Sequence, residues 1–439
     1  MGLSGSTGNP KGVMITHENL LVTLNALLTR LGDVSRKVET YVCYLPLAHV
    51  LELVCEFGCV FNGIRLAYSS PQTLTDNSTG VIKGHLSDIR LAKPTILATV
   101  PIVLERLSKG FYEKLREAPW LKQTLFKMAY EQKLALFKAS RNTRLLDRIV
   151  FKPINRLVLG GEVRLILSGG ALLSKDVQEL AQVCFGPVLQ AYGLTETCVG
   201  ATAMYPHQVQ SETCGSVIPC SEIRLRDWAE AGYRATDKPN PRGEILVGGD
   251  NITMGYFKMP EKTREDYRVI DGVKYFATGD IGEVLPNGNL KIIDRKKDLV
   301  KLQGGEYVSL NKLENAIKLL PFVDNCCVIA NPLKAHCVCL ICPNVIRVAD
   351  TIRSIDMSAR TIIDVYEELN ENKKLRTMLY KELYDECARQ NCDRFEIPTA
   401  VKFVREIWLD CGLLTDSFKL KRKEIESFYS KDIQKLYEQ

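Results

Sequence analysis

Close to the start of the 439-residue chain, Ser4-Gly5-Ser6-Thr7-Gly8-Asn9-Pro10-Lys11-Gly12 combines glycines, hydroxyl side chains and a lysine. Glycines let successive backbone amides turn toward an anion, hydroxyls add donors, and Lys11 adds positive charge, a set suited to a polyphosphate. The run lacks the Gly-Lys-Ser/Thr ending of a Walker A loop, and a plain flexible turn is the alternative. Ser168-Gly169-Gly170-Ala171 lies between a strand pattern and a helical one. Its glycines allow a flat ring to approach the backbone, or simply make a tight turn. Gln190-Ala191-Tyr192-Gly193-Leu194-Thr195-Glu196-Thr197 follows another strand pattern, at the end where parallel sheets place ligands. There Tyr192 is able to stack on a base, Thr195 to donate to a phosphate oxygen, and Glu196 to bind a hard Mg²⁺. A lone glutamate after a strand is otherwise just solvated. Thr278-Gly279-Asp280 sets a carboxylate just before a hairpin, where it suits the vicinal hydroxyls of a ribose or a purely structural turn. The basic run Leu414–Arg422 reads, taken alone, as a solvated face or a helix start.

These segments need a scaffold, and the patterning supplies one. Tyr41–Leu47, Thr95–Val100, Val163–Leu167 and Val188–Ala191 read as short buried strands. Helical stretches lie between them, including Glu18–Leu31 and Ser174–Cys184, the latter with Ser174 as its cap. Such alternation predicts an α/β fold with a largely parallel sheet covered on both faces. From Arg242 the pattern turns to β: Gly243–Val247 and Ile281–Leu285 are strands, and Pro286-Asn287-Gly288 is a hairpin turn into Leu290–Ile293. Asp294-Arg295-Lys296-Lys297-Asp298 then reads as a linker. Three regions are expected: a large unit over 1–293, the linker over 294–298, and a smaller α+β unit over 299–439.

Composition excludes several classes. Hydrophobic residues make up 46% and charged residues 25%, ordinary globular usage rather than disorder. No apolar run reaches the length of a membrane-spanning helix, and the first residues do not form a signal peptide. The net charge of +6 does not by itself point to nucleic acid, but Val103–Arg156 holds 13 Lys/Arg against 5 Asp/Glu. The 15 cysteines sit largely in apolar runs, which fits reduced thiols in a cytosolic setting. In a strand Cys337 and Cys339 face one way and Cys342 the other, so they do not converge on a metal. A phosphate-type loop at residue 4 would normally hang between a strand and a helix, so further chain is expected ahead of it.

The order and spacing of Ser4–Val13, Tyr192–Thr197, Thr278–Asp280, Asp294–Val300 and Lys419–Arg422 resemble the adenylate-forming superfamily of acyl-CoA synthetases, luciferases and peptide-synthetase adenylation domains. Tyr44-Leu-Pro-Leu-Ala-His49, Gln190–Thr197 and the block from Thr278 through Leu302 look most like the long-chain fatty-acid–CoA ligases. Gly255-Tyr256-Phe257-Lys258 and the run from Leu414-Thr415-Asp416 to Lys419-Leu420-Lys421-Arg422 are similar to the animal branch favouring long and polyunsaturated acids. The resemblance implies a luciferase-like large domain and a small mobile lid. It implies that a long-chain fatty acid, ATP with Mg²⁺, and CoA as co-substrate give acyl-CoA, AMP and pyrophosphate through an acyl-adenylate. On it, Ser4, Gly5, Ser6, Thr7, Gly8 and Lys11 would hold the β- and γ-phosphates, and Gly169, Gly170 and Tyr192 the adenine. Thr195 would meet the α-phosphate, Glu196 the Mg²⁺, and Asp280 with Arg295 the ribose. Lys419 would bridge the carboxylate and α-phosphate, Asp294 would be the hinge, Gly305 would let pantetheine pass, and His49 would lie near the acyl and CoA channels. It also implies an N-terminal membrane anchor ahead of this chain, and work at the cytosolic face of the endoplasmic reticulum, mitochondrial outer membrane, peroxisome or lipid droplet.

Residues 103–156 look like the helical insertion of the long-chain branch. Leu121, Leu125, Met128, Ala129 and Leu136 form an apolar stripe, with Lys122, Lys127, Lys133 and Lys138 expected on other faces. That face is expected either to meet anionic lipid or to pack on the body of the protein. Two further readings stay open: a different acceptor in place of CoA, or a catalytically inactive product that acts as an interaction partner. No nucleic-acid-reading module is recognisable.

Overall fold

Short β-branched and aromatic runs separated by amphipathic helices give a doubly covered parallel sheet. In the computed structural model the described residues are 2–4, 11–32, 39–76, 78, 80–82, 84–139, 141, 143–355, 362–415 and 419–438. Strands β1 (Gly2–Ser4) and β2 (Lys11–Val13) form a hairpin in which Ser4 pairs with Lys11. The main sheet holds β3 (Thr40–Cys43), β4 (Arg65–Tyr68), β5 (Ile96–Thr99), β6 (Leu165–Ser168), β7 (Val188–Tyr192), β8 (Thr202–Ala203) and β9 (Ser216–Val217). Their order is β4-β3-β5-β6-β7-β8-β9. The first five run parallel and the last two antiparallel. Parallel pairing points the C-terminal ends of β5, β6 and β7 the same way, which brings the loops after Ser168 and Tyr192 to one edge.

The change to β style expected from Arg242 comes earlier, at Ser221, as a second, antiparallel sheet. It comprises β10 (Ser221–Arg226), β11 (Arg242–Gly249), β12 (Tyr267–Ile270), β13 (Val273–Val284) and β14 (Leu290–Arg295). The turn is closed by the Leu285 amide donating to the Asn289 carbonyl (2.9 Å). Asp280 differs from expectation: it lies inside the 12-residue β13 rather than in a turn. Pairing jumps from Glu244–Ile281 to Leu246–Ala277, so Thr278, Gly279 and Asp280 oppose Ile245 alone. Gly279 supplies the positive φ of 71° that this bulge needs.

The chain divides into two compact units, the first running to Ile293 and the second from Asp294. The expected linker is not wholly irregular: β14 continues through Arg295, and Lys296–Asp298 forms a single tight turn. In the second unit β15 (Leu299–Lys301) and β16 (Tyr307–Ser309) make a hairpin. Strands β17 (Val323–Ala330), β18 (Cys337–Pro343) and β19 (Ala400–Phe403) form a small mixed sheet. Its two faces bury separate cores, one around Leu313, Ile317 and Leu379 and the other around Trp408, Ile425 and Tyr429. Cys337 and Cys339 belong to the first core and Cys342 to the second, as the strand alternation requires. Burial pushes the Cys337 thiol up to about 12, and the cysteines are free thiols.

The insertion departs from its expected facing. The Trp120–Lys138 helix buries Phe126, Ala129 and Lys133, whereas Leu121, Leu125 and Met128 stand exposed. Lys133 is thus a correction: its ammonium donates to the Val183 carbonyl, pairs with Asp147 (2.6 Å) and lies 4.4 Å from the Phe151 ring centre. Its aliphatic stem packs with the aromatics while its charge sits at the C-terminal end of the Lys175–Cys184 helix, where carbonyls accumulate. The same helix follows Ser174 as expected, but the Ser174 hydroxyl makes no capping bond. No helix among the described residues is long and apolar enough to cross a membrane.

Candidate active site

Three loops of the first unit meet through buried side chains. After β7, the chain turns tightly through Thr195–Thr197 and then holds Cys198 and Val199 at φ of 48° and 71°. Positive φ is costly for a β-branched residue, so the surroundings must enforce it. They do: the Asn251 side chain, fully buried, donates to the Thr197 and Gly200 carbonyls (2.9 and 2.6 Å). Thr253 donates to the Glu196 carbonyl through both its amide and its hydroxyl (3.0 and 2.9 Å). Gly193 is required sterically, because a Cβ there would lie 1.6 Å from the Val199 carbonyl oxygen.

This bracing fixes Glu196, which is almost completely buried. The Tyr256 hydroxyl donates to Glu196 Oε1 (2.9 Å), and its oxygen accepts from Lys11 Nζ (3.2 Å). Burial first, and the Glu196 charge second, raise the Tyr256 phenol well above its ordinary range, so it remains a neutral donor. Asp266 closes the cluster, 3.2 Å from the Tyr256 oxygen and 3.8 Å from Lys11 Nζ. Strand β2 is seated here by Phe257 donating to Gly12 and Met14 donating to Gly255 (2.8 and 2.9 Å). Lys11 therefore sits beside acidic and phenolic groups. Glu196 and Asp266 present hard carboxylate oxygens of the kind Mg²⁺ takes, so the donor set fits that ion.

A second pair ties the two sheets together. The Tyr192 hydroxyl donates to Asp280 Oδ2 (2.7 Å), both side chains being buried. The bulge aims that carboxylate: Asp280 N–H donates to Thr278 Oγ1, which itself donates to the Ile245 carbonyl (3.0 and 2.8 Å). Across the sheet edge, Gly169 N–H donates to the Thr99 carbonyl (3.2 Å). A Cβ on Gly169 would meet only the Ala191 carbonyl, at an ordinary 3.4 Å, whereas Gly170 carries a φ of 84°. Thr195 lies half-buried beside Glu196. His49 caps the Val50–Phe61 helix, its Nδ1 accepting from Leu51 N–H (3.3 Å). Ser4 ends β1, and Gly5, Ser6, Thr7 and Gly8 lie outside the described residues.

The second unit carries its own set. Asp294 is buried and accepts from the Ser309 hydroxyl, the Asn311 amide (2.9 Å) and Arg295 N–H (2.6 Å). Burial nonetheless pushes its carboxyl up to about 6, the hydrogen bonds pulling the other way. Gly305 takes a φ of 96° in the β15–β16 turn, and a Cβ there would meet nothing nearer than Lys301 Cε at 4.0 Å. Lys419 is held by its backbone, donating to Thr415 Oγ1 (3.0 Å) and accepting from Thr415 N–H (2.9 Å). Arg422 is not on a solvated face: it pairs with buried Glu314 (2.9 Å) and donates to the Val328 carbonyl (2.6 Å). Sequence reading missed Asp266, Asn251 and Thr253, and it quoted Tyr256 and Gly193 within motifs without giving either a role. Asp266 ends the Pro260–Asp266 helix and Asn251 and Thr253 follow β11, and nothing local at these positions reveals what they pack against.

Comparison with known proteins gives this arrangement a family. A family model described as AMP-binding enzyme matches residues 4–257. The chain is 42% identical to Long chain acyl-CoA synthetase 8 of Arabidopsis thaliana, over 100% of its own length and 61% of that protein. It is 36% identical to Long-chain-fatty-acid–CoA ligase 1 of Schizosaccharomyces pombe, over 100% of its length and 64% of that protein. The chain thus spans about three fifths of the length of the curated relatives it matches. Its fold matches the adenylation domain of a carboxylate reductase from Mycobacterium chelonae with a TM-score of 0.74 and 25% identity, covering 99% of this chain and 59% of that one. It also matches the fold of O-succinylbenzoate CoA synthetase from Bacillus subtilis, with a TM-score of 0.62 and 20% identity over 97% of this chain and 69% of that one. With the family model covering more than half of its residues, the chain belongs to the AMP-binding enzymes.

Proposed function

We propose that this protein activates long-chain fatty acids to acyl-CoA through an acyl-adenylate. The observation that carries the reading is identity of 33–42% along all of the chain to proteins named as long-chain acyl-CoA synthetases or fatty-acid–CoA ligases. In the first step a carboxylate oxygen of the fatty acid bonds to the α-phosphorus of ATP, and the bond to pyrophosphate breaks. In the second, the CoA thiol loses its proton and bonds to the acyl carbon, and AMP leaves. The protein's task is alignment and charge neutralisation.

Within that reading, Ser4–Lys11 grip the terminal phosphates, and Gly169, Gly170 and Tyr192 seat the adenine. Asp280, oriented by Tyr192, takes the ribose together with Arg295. Thr195 donates to the α-phosphate. Glu196 holds Mg²⁺, which when bound would neutralise charge on the departing pyrophosphate. Lys419 bridges the two reacting groups, the chain turns at Asp294, and Gly305 leaves room for pantetheine. The test is fatty-acid-dependent ATP–pyrophosphate exchange with palmitate and arachidonate. Exchange should require the acid and fall at least about 100-fold in Lys419→Ala. Exchange that ignores the fatty acid, or survives that substitution, overturns the assignment.

The reading extends to where the substrate is met. Trp120, Leu121, Leu125 and Met128 are exposed on one helix beside Lys122 and Lys127, in the strongly basic insertion. Apolar side chains flanked by lysines suit the cytosolic face of an intracellular membrane carrying anionic lipid. The chain should float with phosphatidylserine vesicles at low salt, and Leu121→Asp with Leu125→Asp should abolish it. Equal flotation with neutral vesicles removes this part of the reading.

A further inference from the structure

The Val50–Phe61 helix packs on β3 and β4 and carries, with the end of β3, a largely buried group of metal-ligating side chains separate from Glu196. Glu52 and Glu56 lie one turn apart on that face, and Cys43 ends β3. A ligand atom from each lies within 4.8 Å of the other two. Ligands of a tetrahedral ion at about 2.0–2.3 Å stand roughly 3.5 Å apart, so small rotamer changes close the set.

Two tyrosines hold the carboxylates from behind. Tyr41 donates to Glu52 Oε2 (2.7 Å) and Tyr68 donates to Glu56 Oε2 (3.0 Å). Hydrogen bonds of this kind fix one oxygen of a carboxylate and leave the other to face an ion. Glu52 is fully buried, and its other oxygen, Oε1, has no hydrogen-bond partner among the described residues. A buried carboxylate oxygen left bare is costly, and a cation would satisfy it. Glu56 is half-buried and Tyr68 is exposed, which gives an ion a way in and leaves water a fourth position.

We propose that Cys43, Glu52 and Glu56 form a site for a borderline-soft divalent cation of the zinc class, clamping the Val50–Phe61 helix to β3. A thiolate among the ligands selects such ions over Mg²⁺, so the site is chemically distinct from the one that Glu196 offers. It stands whether or not the fatty-acid reading does. The clamped helix is the one His49 caps.

The test uses the full chain in a Cys411→Ser background, which removes the exposed thiol. After chelator treatment, one equivalent of Cd²⁺ should give a thiolate-to-metal charge-transfer band, and Zn²⁺ should displace it while millimolar Mg²⁺ does not. Cys43→Ser should remove the band. Glu56→Gln, at a half-buried position that should preserve the fold, should weaken Zn²⁺ binding about 10-fold or more while leaving the circular dichroism spectrum unchanged. A band that persists in Cys43→Ser, unchanged affinity in Glu56→Gln, or displacement by Mg²⁺ overturns the proposal.

Discussion

Two glycines, Gly169 and Gly193, show what one missing Cβ does at the residue scale. At Gly193 a methyl group would lie 1.6 Å from the Val199 carbonyl, so backbone must shift; at Gly169 it would meet only a 3.4 Å contact. Gly193→Ala should therefore destabilise the first unit by about 2–4 kcal/mol, measured by denaturant unfolding. Gly169→Ala should keep wild-type stability and instead weaken Mg·ATP binding in a calorimetric titration, because its open side is where the adenine is proposed to lie. Equal loss of stability in both variants would make Gly169 a turn residue and nothing more. Asp280 teaches a related point: its type was legible, but its aim comes from a bulge whose partner, Ile245, is more than thirty residues away in sequence.

Among elements, the short Arg422–Phe428 helix is anchored by one ion pair. Burial works against the Arg422 charge, but Glu314 beside it more than offsets this and raises the guanidinium further. The pair joins that helix to the Leu310–Lys318 helix and, through Val328, to β17. Lys419 precedes Arg422 by three residues, so the anchor also restrains where the Lys419 backbone sits. Arg422→Met leaves Glu314 buried without a cation and should cost about 3–5 kcal/mol. Adding Glu314→Gln should recover part of that loss in the double variant; no recovery would mean that packing rather than charge is at stake. The insertion helix was legible as a helix but not in its facing. Its apolar residues outnumber those one face needs, and Lys133 competes successfully for the buried side by reaching the Val183 carbonyl.

For the whole molecule, the point of division is Asp294, whose environment makes the second unit sensitive to pH. Its carboxyl rises to about 6 in the folded chain from an ordinary value of 3.8. The folded state thus favours the protonated form, so this group's stabilising contribution is present at acid pH and is lost as pH rises through about 6. Relative to Asp294→Asn, the wild-type protein should lose on the order of 3 kcal/mol between about pH 4 and pH 7, then level off. Parallel stability curves for the two proteins would show that the three hydrogen bonds to Asp294 fully offset its burial.

Alternation of strand and helix patterns, the turn at Pro286–Gly288 and the identity of Tyr192, Glu196, Asp280 and Lys11 were all determined by sequence alone, because they depend on local periodicity and on side-chain chemistry. Only tertiary structure decided that Tyr256 stands between Lys11 and Glu196, 245 and 60 residues away, and that Asn251 and Thr253 brace the Glu196 turn. It also decided that Arg422 is buried and that Cys43 faces two glutamates. No local pattern encodes such pairings, since a polar side chain reads as solvated until packing removes its water and supplies a partner.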